Sequence, residues 1–155
     1  MNLPIIVRKA TKSDVPQIVK LLATDKLGRL RESFRDPLPA FYYEAFNTIN
    51  SDLNQELMVL ESENDTAILA SFQLTFIPYL SYNGRLRAQI ENVMVRDDLR
   101  GKGLGKQIFK WVIERAKERN AHVLQLTSDK LRPKAIKFYK NLGFVASHEG
   151  MKLHF

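Results

Sequence analysis

The 155-residue sequence predicts a mixed α/β fold, and three observations carry that expectation. Residues 90–116 run from a strand through a charged turn and a glycine-rich loop into a helix. Helical stripes and alternating strand-like segments occur both before and after this run. Asn83-Gly84, between two extended segments, has the chemistry of a tight reversal, so the third and fourth strands should be antiparallel neighbours.

Composition narrows the class. With 45% hydrophobic residues, one compact domain over residues 1–155 can bury a sizeable core. The absence of Cys excludes a disulfide framework, a thiol nucleophile and a cysteine-ligated metal. Three His without paired spacing speak against any metal site. Residues 1–4 carry no long apolar run and no apolar stretch is long enough to span a bilayer, so a cytoplasmic protein without a membrane partner is expected. The net charge of +7 suits nucleic acid or an anionic ligand. Lys and Arg are scattered along the chain, which favours a small ligand or a solvated surface over nucleic acid.

In chain order, residues 5–8 form a first short strand. Thr11 or Ser13 then caps a helix whose stripe is Val15, Ile18, Val19, Leu21 and Leu22. A polar connection at 25–32, including Leu27 and Gly28, leads to a second helix over 38–48, with Phe41, Tyr42, Ala45 and Phe46 as its core side. Residues 57–60 are a strand and 62–65, with Asn64, a turn. Residues 66–76 are a long strand ended by Pro78.

The fourth strand holds Val93 and Val95, and Arg96, Asp97 and Asp98 break its pattern. Leu104, Ile108, Trp111 and Val112 begin the helical stripe that follows, widened by Phe109, Ile113 and Ala116. Residues 122–127 are an apolar strand. Pro133 opens a helix through Asn141, with Gly143 at its C-cap. Residues 144–147 and 151–155 are expected as closing strands.

Gly101, Gly103 and Gly105 alternate with Lys102, Leu104 and Lys106 at the start of a helix. Glycines there leave backbone N–H groups uncovered at the positive end of the helix dipole, which makes a phosphate site. Arg100, Lys102 and Lys106 add full charges. The loop is one residue short of a Walker motif and Gln107 stands where Ser or Thr belongs. It also lacks the G-x-G-x-x-G spacing of a dinucleotide fold.

Arg100-x-x-Gly103-x-Gly105 does resemble the Q/R-x-x-G-x-G/A signature of the GNAT N-acetyltransferase superfamily. Downstream, Ala135-x-x-Phe138-Tyr139-x-x-x-Gly143-Phe144 resembles the A-x-x-F-Y-x-x-x-G-F ending of the same enzymes. The place of an Asn found in many members is taken by Arg132.

The resemblance implies a largely antiparallel central sheet with helices on both faces, splayed between strands four and five. It implies acetyl-coenzyme A as cosubstrate, an amine of a small molecule or peptide as acceptor, and a homodimer, since members are often dimers. Arg100, Gly101, Lys102, Gly103, Leu104, Gly105 and Lys106 would hold the pyrophosphate. Backbone N–H groups of Val93, Met94 or Val95 would hold the acetyl carbonyl and pantetheine.

Glu91 is the implied general base and Tyr139 the implied acid. Glu91 also reads as an exposed position on an alternating strand, and Tyr139 as a ring packed beside Phe138. The first two helices and their connection would line the acceptor site, where Arg29 and Glu32 are candidates together with residues 79–82. A degenerate member that binds the coenzyme as a regulatory ligand, and a basic nucleic-acid-binding module, are the alternatives.

Overall fold

The structure, a computed structural model, describes residues 5–26, 28–63 and 65–155, with Thr66 by its backbone alone. Residues 1–4, Leu27 of the predicted connection and Asn64 of the predicted turn lie outside the described residues. Two compact units are present, Met1–Gln125 and Leu126–Phe155.

The first unit is built on a five-stranded sheet in the order β1-β2-β3-β4-β5. Its strands are β1 (Ile5–Lys9), β2 (Gln55–Ser62), β3 (Asp65–Pro78), β4 (Leu86–Val95) and β5 (Ala121–Gln125). β1 to β4 pair antiparallel and β5 joins β4 in parallel. Its helices are α1 (Val15–Thr24), α2 (Ala40–Ser51), the single turn α3 (Ser81–Gly84) and α4 (Leu104–Glu118). The mixed α/β, largely antiparallel fold expected from the sequence is the one observed.

Alternation along β2 assigns the two faces. Val59 and Leu57 pack with Ile68 and Met94 against Val15, Ile18 and Val19 of α1 and Phe46 of α2. Met58 is the register partner of Phe72, whose ring meets Trp111 of α4 at 5.6 Å between centroids. Glu56 lies on this α4 side and is buried, and Arg115 (2.6 Å) of α4 and Arg119 (3.4 Å) at its C-cap neutralise it. A buried carboxylate without such partners would cost several kcal/mol (of order 3–5), so the pair fixes where α4 docks. Both faces of the sheet therefore carry helices.

Two irregularities in β4 position the site. Ser71 pairs with Met94 but Gln73 pairs with Glu91, so β4 holds one residue more than β3 over this stretch. Asn92 takes that bulge at φ +52°, a left-handed conformation that Asn tolerates better than most residues. Pairing with β5 ends at Gln89–Gln125, so among the described residues no strand pairs with 90–95 on that edge. This is the separation of the fourth and fifth strands that the family resemblance implies.

α3 makes the predicted reversal between β3 and β4, with Tyr82, Asn83 and Gly84 all at positive φ. In the second unit α5 (Pro133–Asn141) has the predicted bounds. Gly143 at φ +94° closes it: the Gly143 N–H donates to the Lys140 carbonyl (3.0 Å) and the Phe144 N–H to that of Tyr139 (3.1 Å). These two bonds are the Schellman pattern, completed by the Tyr139–Phe144 ring contact at 6.1 Å.

The closing strands expected at 144–147 and 151–155 are not formed. After Phe144 the chain bonds locally, with the Ser147 N–H on the Val145 carbonyl (3.0 Å), and apolar residues alone make no strand without a neighbouring ladder. Among the described residues, no helix is long and apolar enough to cross a membrane.

The start of α1 is fixed by one carboxylate. Asp14 accepts from Arg8 Nη1 (2.7 Å) and Nη2 (3.1 Å), from the Thr11 N–H (2.7 Å) and from Thr11 Oγ1 (2.9 Å). Burial works against ionisation of Asp14, but the bonds from Arg8 and Thr11 outweigh it and hold the carboxyl below its ordinary range. A depressed folded-state pKa gives stability that is complete above the unfolded value of about 3.9 and is lost as pH falls through the folded value. Asp14→Asn should cost about 1–3 kcal/mol at pH 7, and less as the wild type is itself protonated. Urea unfolding at pH 7 and pH 3 checks this: an equal difference at both values would contradict it.

Candidate active site

β4 ends in a short 3-10 turn, Asp97–Leu99, that carries the chain into the glycine loop. Arg96 ties this turn to β3. Its backbone N–H donates to the Leu69 carbonyl (2.9 Å), and its guanidinium pairs with Asp65 (2.8 Å) and Asp98 (2.7 Å). The Arg96 guanidinium holds the Asp98 carboxyl below its ordinary range. Asp65 is lowered too, first by the Ala67 N–H and then by Arg96. Arg100 turns back over the same segment, donating from Nε to the Val95 carbonyl (3.2 Å) and pairing with Asp97 (2.7 Å).

Beyond this brace the backbone opens. Gly101 has φ +76°, and Gly103, the N-cap of α4, has φ +86° and ψ −2°. A Cβ built at either glycine meets no atom within 4 Å, so the space over the loop is clear. Leu104 and Ile108 are buried and root the helix in the core. The N–H groups of Lys106 (3.1 Å) and Gln107 (3.3 Å) both turn to the Gly103 carbonyl. Those of Leu104 and Gly105 precede any intrahelical acceptor. Lys102 and Lys106 are exposed. Uncovered N–H groups, the positive end of a 15-residue helix and two exposed lysines suit a phosphate ester.

The unpaired edge of β4 leads into this loop. Because Arg96 donates toward β3, strand alternation turns the backbone groups of Val95 to the open side. Arg100 Nε reaches the Val95 carbonyl there, which leaves the Val95 N–H facing the open edge. Val93 is half-buried, and Met94 sends its side chain into the α1 core. Glu91 is exposed, one residue before the bulge, and shares a face with its register partner Gln73.

In the second unit Tyr139 is half-buried on α5, with ring neighbours Phe138 (5.5 Å) and Phe144 (6.1 Å). Burial raises its phenol above the ordinary value, against the opposing positive charge of Arg132. Arg132 is the N-cap residue of α5, its N–H on the Asp129 carbonyl at 3.0 Å.

Arg29 is exposed on the 3-10 turn Gly28–Leu30 that follows α1. Glu32 is engaged: it accepts from Tyr42 Oη (3.0 Å) and Arg31 Nε (3.0 Å), while Tyr42 Oη accepts the Ser33 N–H (2.8 Å). That network fastens the connection to α2. A cavity of about 230 Å³ lies on the opposite face, beside Glu56, Trp111 and Arg115, and belongs to the docking of α4.

Residues 27–144 match the Acetyltransferase (GNAT) family. The chain belongs to that family. It is 50% identical to a transcriptional regulator from Bacillus halodurans C-125, whose crystal structure superposes with a TM-score of 0.93 over 97% of this chain and 99% of that one. A predicted acetyltransferase from Clostridium acetobutylicum, solved with acetyl-coenzyme A, is 25% identical, with a TM-score of 0.72 over 97% of this chain and 96% of that one. A probable glucosamine 6-phosphate N-acetyltransferase from Drosophila melanogaster is 31% identical over 65% of this chain and 45% of its own length. The chain spans less than half the length of the first curated relatives it matches.

In this GNAT chain, sequence reasoning missed the bulge at Asn92 and the polar face around Gln73. An Asn inside the run IENVMV was the available signal for the bulge, since Asn is poor in strands and tolerant of left-handed backbone. Arg96 was read only as an interruption, yet it braces the GNAT loop to β3. Arg96→Ala should lower stability by about 1–3 kcal/mol and speed amide exchange at Gly101 and Gly103 relative to the β2 core. Hydrogen exchange followed by mass spectrometry reads this out, and uniform acceleration throughout the chain would contradict a local brace.

Proposed function

We propose that this chain transfers an acetyl group from acetyl-coenzyme A to a primary amine of a small molecule or peptide, with its two units acting as one domain over residues 1–155. The observation that carries this reading is the junction of an unpaired β4 edge with an open helix N-terminus, flanked by the carboxylate of Glu91. The coenzyme supplies an acetyl thioester. Gly101, Lys102, Gly103, Leu104, Gly105 and Lys106 would hold its pyrophosphate, with Arg100 closing the loop. Val93, Met94 and Val95 would hold the pantetheine arm and acetyl carbonyl. The Val95 N–H is the favoured donor because it faces the open edge.

An alkylamine has a pKa of about 10.4, so it reaches the site largely protonated. Glu91 takes that proton on a carboxylate oxygen, directly or through water. The Tyr139 hydroxyl gives a proton to the departing sulfur, whose thiol would have a pKa of about 8.5 by analogy with Cys. Its raised pKa keeps the phenol protonated through the neutral range. Positioning supplies much of the remaining acceleration. The Drosophila relative is named for glucosamine 6-phosphate, a small amine, which fits an acceptor of this kind.

The 50% identity to a protein described as a transcriptional regulator favours a second reading: a domain that binds acetyl-coenzyme A as a regulatory ligand. Thiol release across a panel of amines, polyamines, aminoglycosides and peptides separates the two. Saturable binding without turnover across the panel supports the regulatory role, and salt-sensitive binding to arbitrary duplex DNA would add a nucleic-acid function.

Gly103→Val should weaken acetyl-coenzyme A binding by about tenfold to a hundredfold. A Cβ would enter the clear space over the loop, and the left-handed backbone disfavours a β-branched residue. Calorimetry on the folded variant decides, and unchanged affinity would count against the pyrophosphate assignment.

The pH–rate profiles of two variants separate the acid from the base. Glu91→Gln should slow turnover by roughly a hundred- to ten-thousandfold near neutrality, and recover in part as pH rises and solvent deprotonates the amine. Tyr139→Phe should abolish the alkaline fall in rate, which in the wild type belongs above about pH 10. Rates and profiles parallel to wild type in both variants would remove both roles.

A further inference from the structure

The sheet face that carries Glu91 continues away from it as a polar strip that no step above uses. Gln55, Thr75, Gln89 and Gln125 form one register row across β2, β3, β4 and β5. Thr75 Oγ1 (3.0 Å) and Gln73 Nε2 (2.8 Å) both donate to Gln55 Oε1, and Gln125 Nε2 donates to Gln89 Oε1 (2.6 Å). Two residues further back along β4, on the same face, stands Arg87, the register partner of Ile77.

The surroundings of Arg87 are unusual for an arginine. Its Nε is buried and has no hydrogen-bond partner, and no carboxylate pairs with it among the described residues. Its guanidinium lies over the Tyr79 ring at 5.2 Å from the centroid. Tyr79 Oη hydrogen-bonds His122 Nε2, and Tyr82 stacks on the His122 ring at 4.8 Å and 29°. Tyr82 is held there by a left-handed backbone, φ +55°, which a bulky residue adopts only at a cost. The result is an aromatic wall beside a cation that no carboxylate among the described residues pairs with.

We propose that Arg87, walled by Tyr79, Tyr82 and His122, is a carboxylate subsite for the far end of an extended amine acceptor whose nitrogen lies at Glu91. This rests on the acetyl-transfer reading above and adds the class of acceptor. Arg87 and Glu91 are four residue steps apart on β4, about 13 Å at the usual rise per residue. A single guanidinium balances one carboxylate, and its planar fork matches the two oxygens. The glutamine row between the two ends offers amide donors and acceptors to a neutral, polar middle. An extended peptide of four residues has this length and this chemistry.

The test uses tetra-alanine as the free acid and as the C-terminal amide. Calorimetry of both is run on the full chain with coenzyme A present. The acid should bind at least about tenfold more tightly than the amide, the worth of a hydrogen bond to a charged group. In Arg87→Gln that ratio should fall to about one. Arg87→Lys, which keeps the charge without the fork, should retain part of it, and dialanine, about half the length, should show no such ratio.

Equal affinity of acid and amide for the wild type, or an undiminished ratio in Arg87→Gln, overturns the subsite; an equal ratio with dialanine overturns the spacing. Acetylation of tetra-alanine is measured separately. A large acid-to-amide ratio without acetyl transfer to any amine would leave the subsite standing and sink the transferase reading instead.

Discussion

The organising constraint is the point along β4 where its second neighbour stops. A backbone N–H or C=O withdrawn from water needs a partner, and in the interior of a sheet the partner is the next strand. β4 has two such neighbours up to Gln89 and one thereafter. The bulge at Asn92 falls inside the one-sided stretch, where it re-aims the backbone groups that follow at no cost to a β5 ladder. The Arg100 side chain satisfies the Val95 carbonyl, which shows how the chain treats this edge. That acceptor is covered from within, and the Val95 N–H donor faces the open edge.

The charges near the loop follow the same division. Arg96 and Arg100 are paired with Asp65, Asp97 and Asp98, a set with one carboxylate in excess that serves as a brace. Lys102, whose charge also acts on Asp98, and Lys106 lie at the helix end whose dipole is already positive. On the proposed reading, a chain with a net charge of +7 uses its positive potential at only a few positions. Scattered surface lysines elsewhere are screened over about 8–10 Å at physiological salt and say little about a partner.

Much of this was legible in the sequence because it rests on local rules. Residues 133–141 were readable to the residue, since Pro133 and Gly143 mark the two ends by backbone chemistry alone. The loop from Arg100 to Lys106 was legible for the same reason. The closing strands were misjudged because a strand depends on a neighbour that no local pattern specifies. Glu32 is one of several loop charges that could face an acceptor, and its bond from Tyr42, ten residues on, depends on the packing of α2 that no local pattern specifies. Glu56 and Arg115 are 59 residues apart, so their pairing could not be inferred from spacing.

β3 explains how one sheet serves both as core and as site. Leu74 and Phe76, with Phe72, are almost wholly buried on the α4 side, and this row roots the strand. The opposite side of the same strand carries Gln73 and Thr75, which would be poor core residues under α1. Gln73 Nε2 and Thr75 Oγ1 bond instead to Gln55 Oε1, which holds the three side chains together while the strip stays partly accessible. A half-buried surface whose side chains already hold one another keeps its shape before any ligand arrives, and a ligand then spends little on ordering it. Glu91 and Arg87 sit at the two ends of that prepared surface, where an exposed carboxylate and an unmatched guanidinium give it opposite charges.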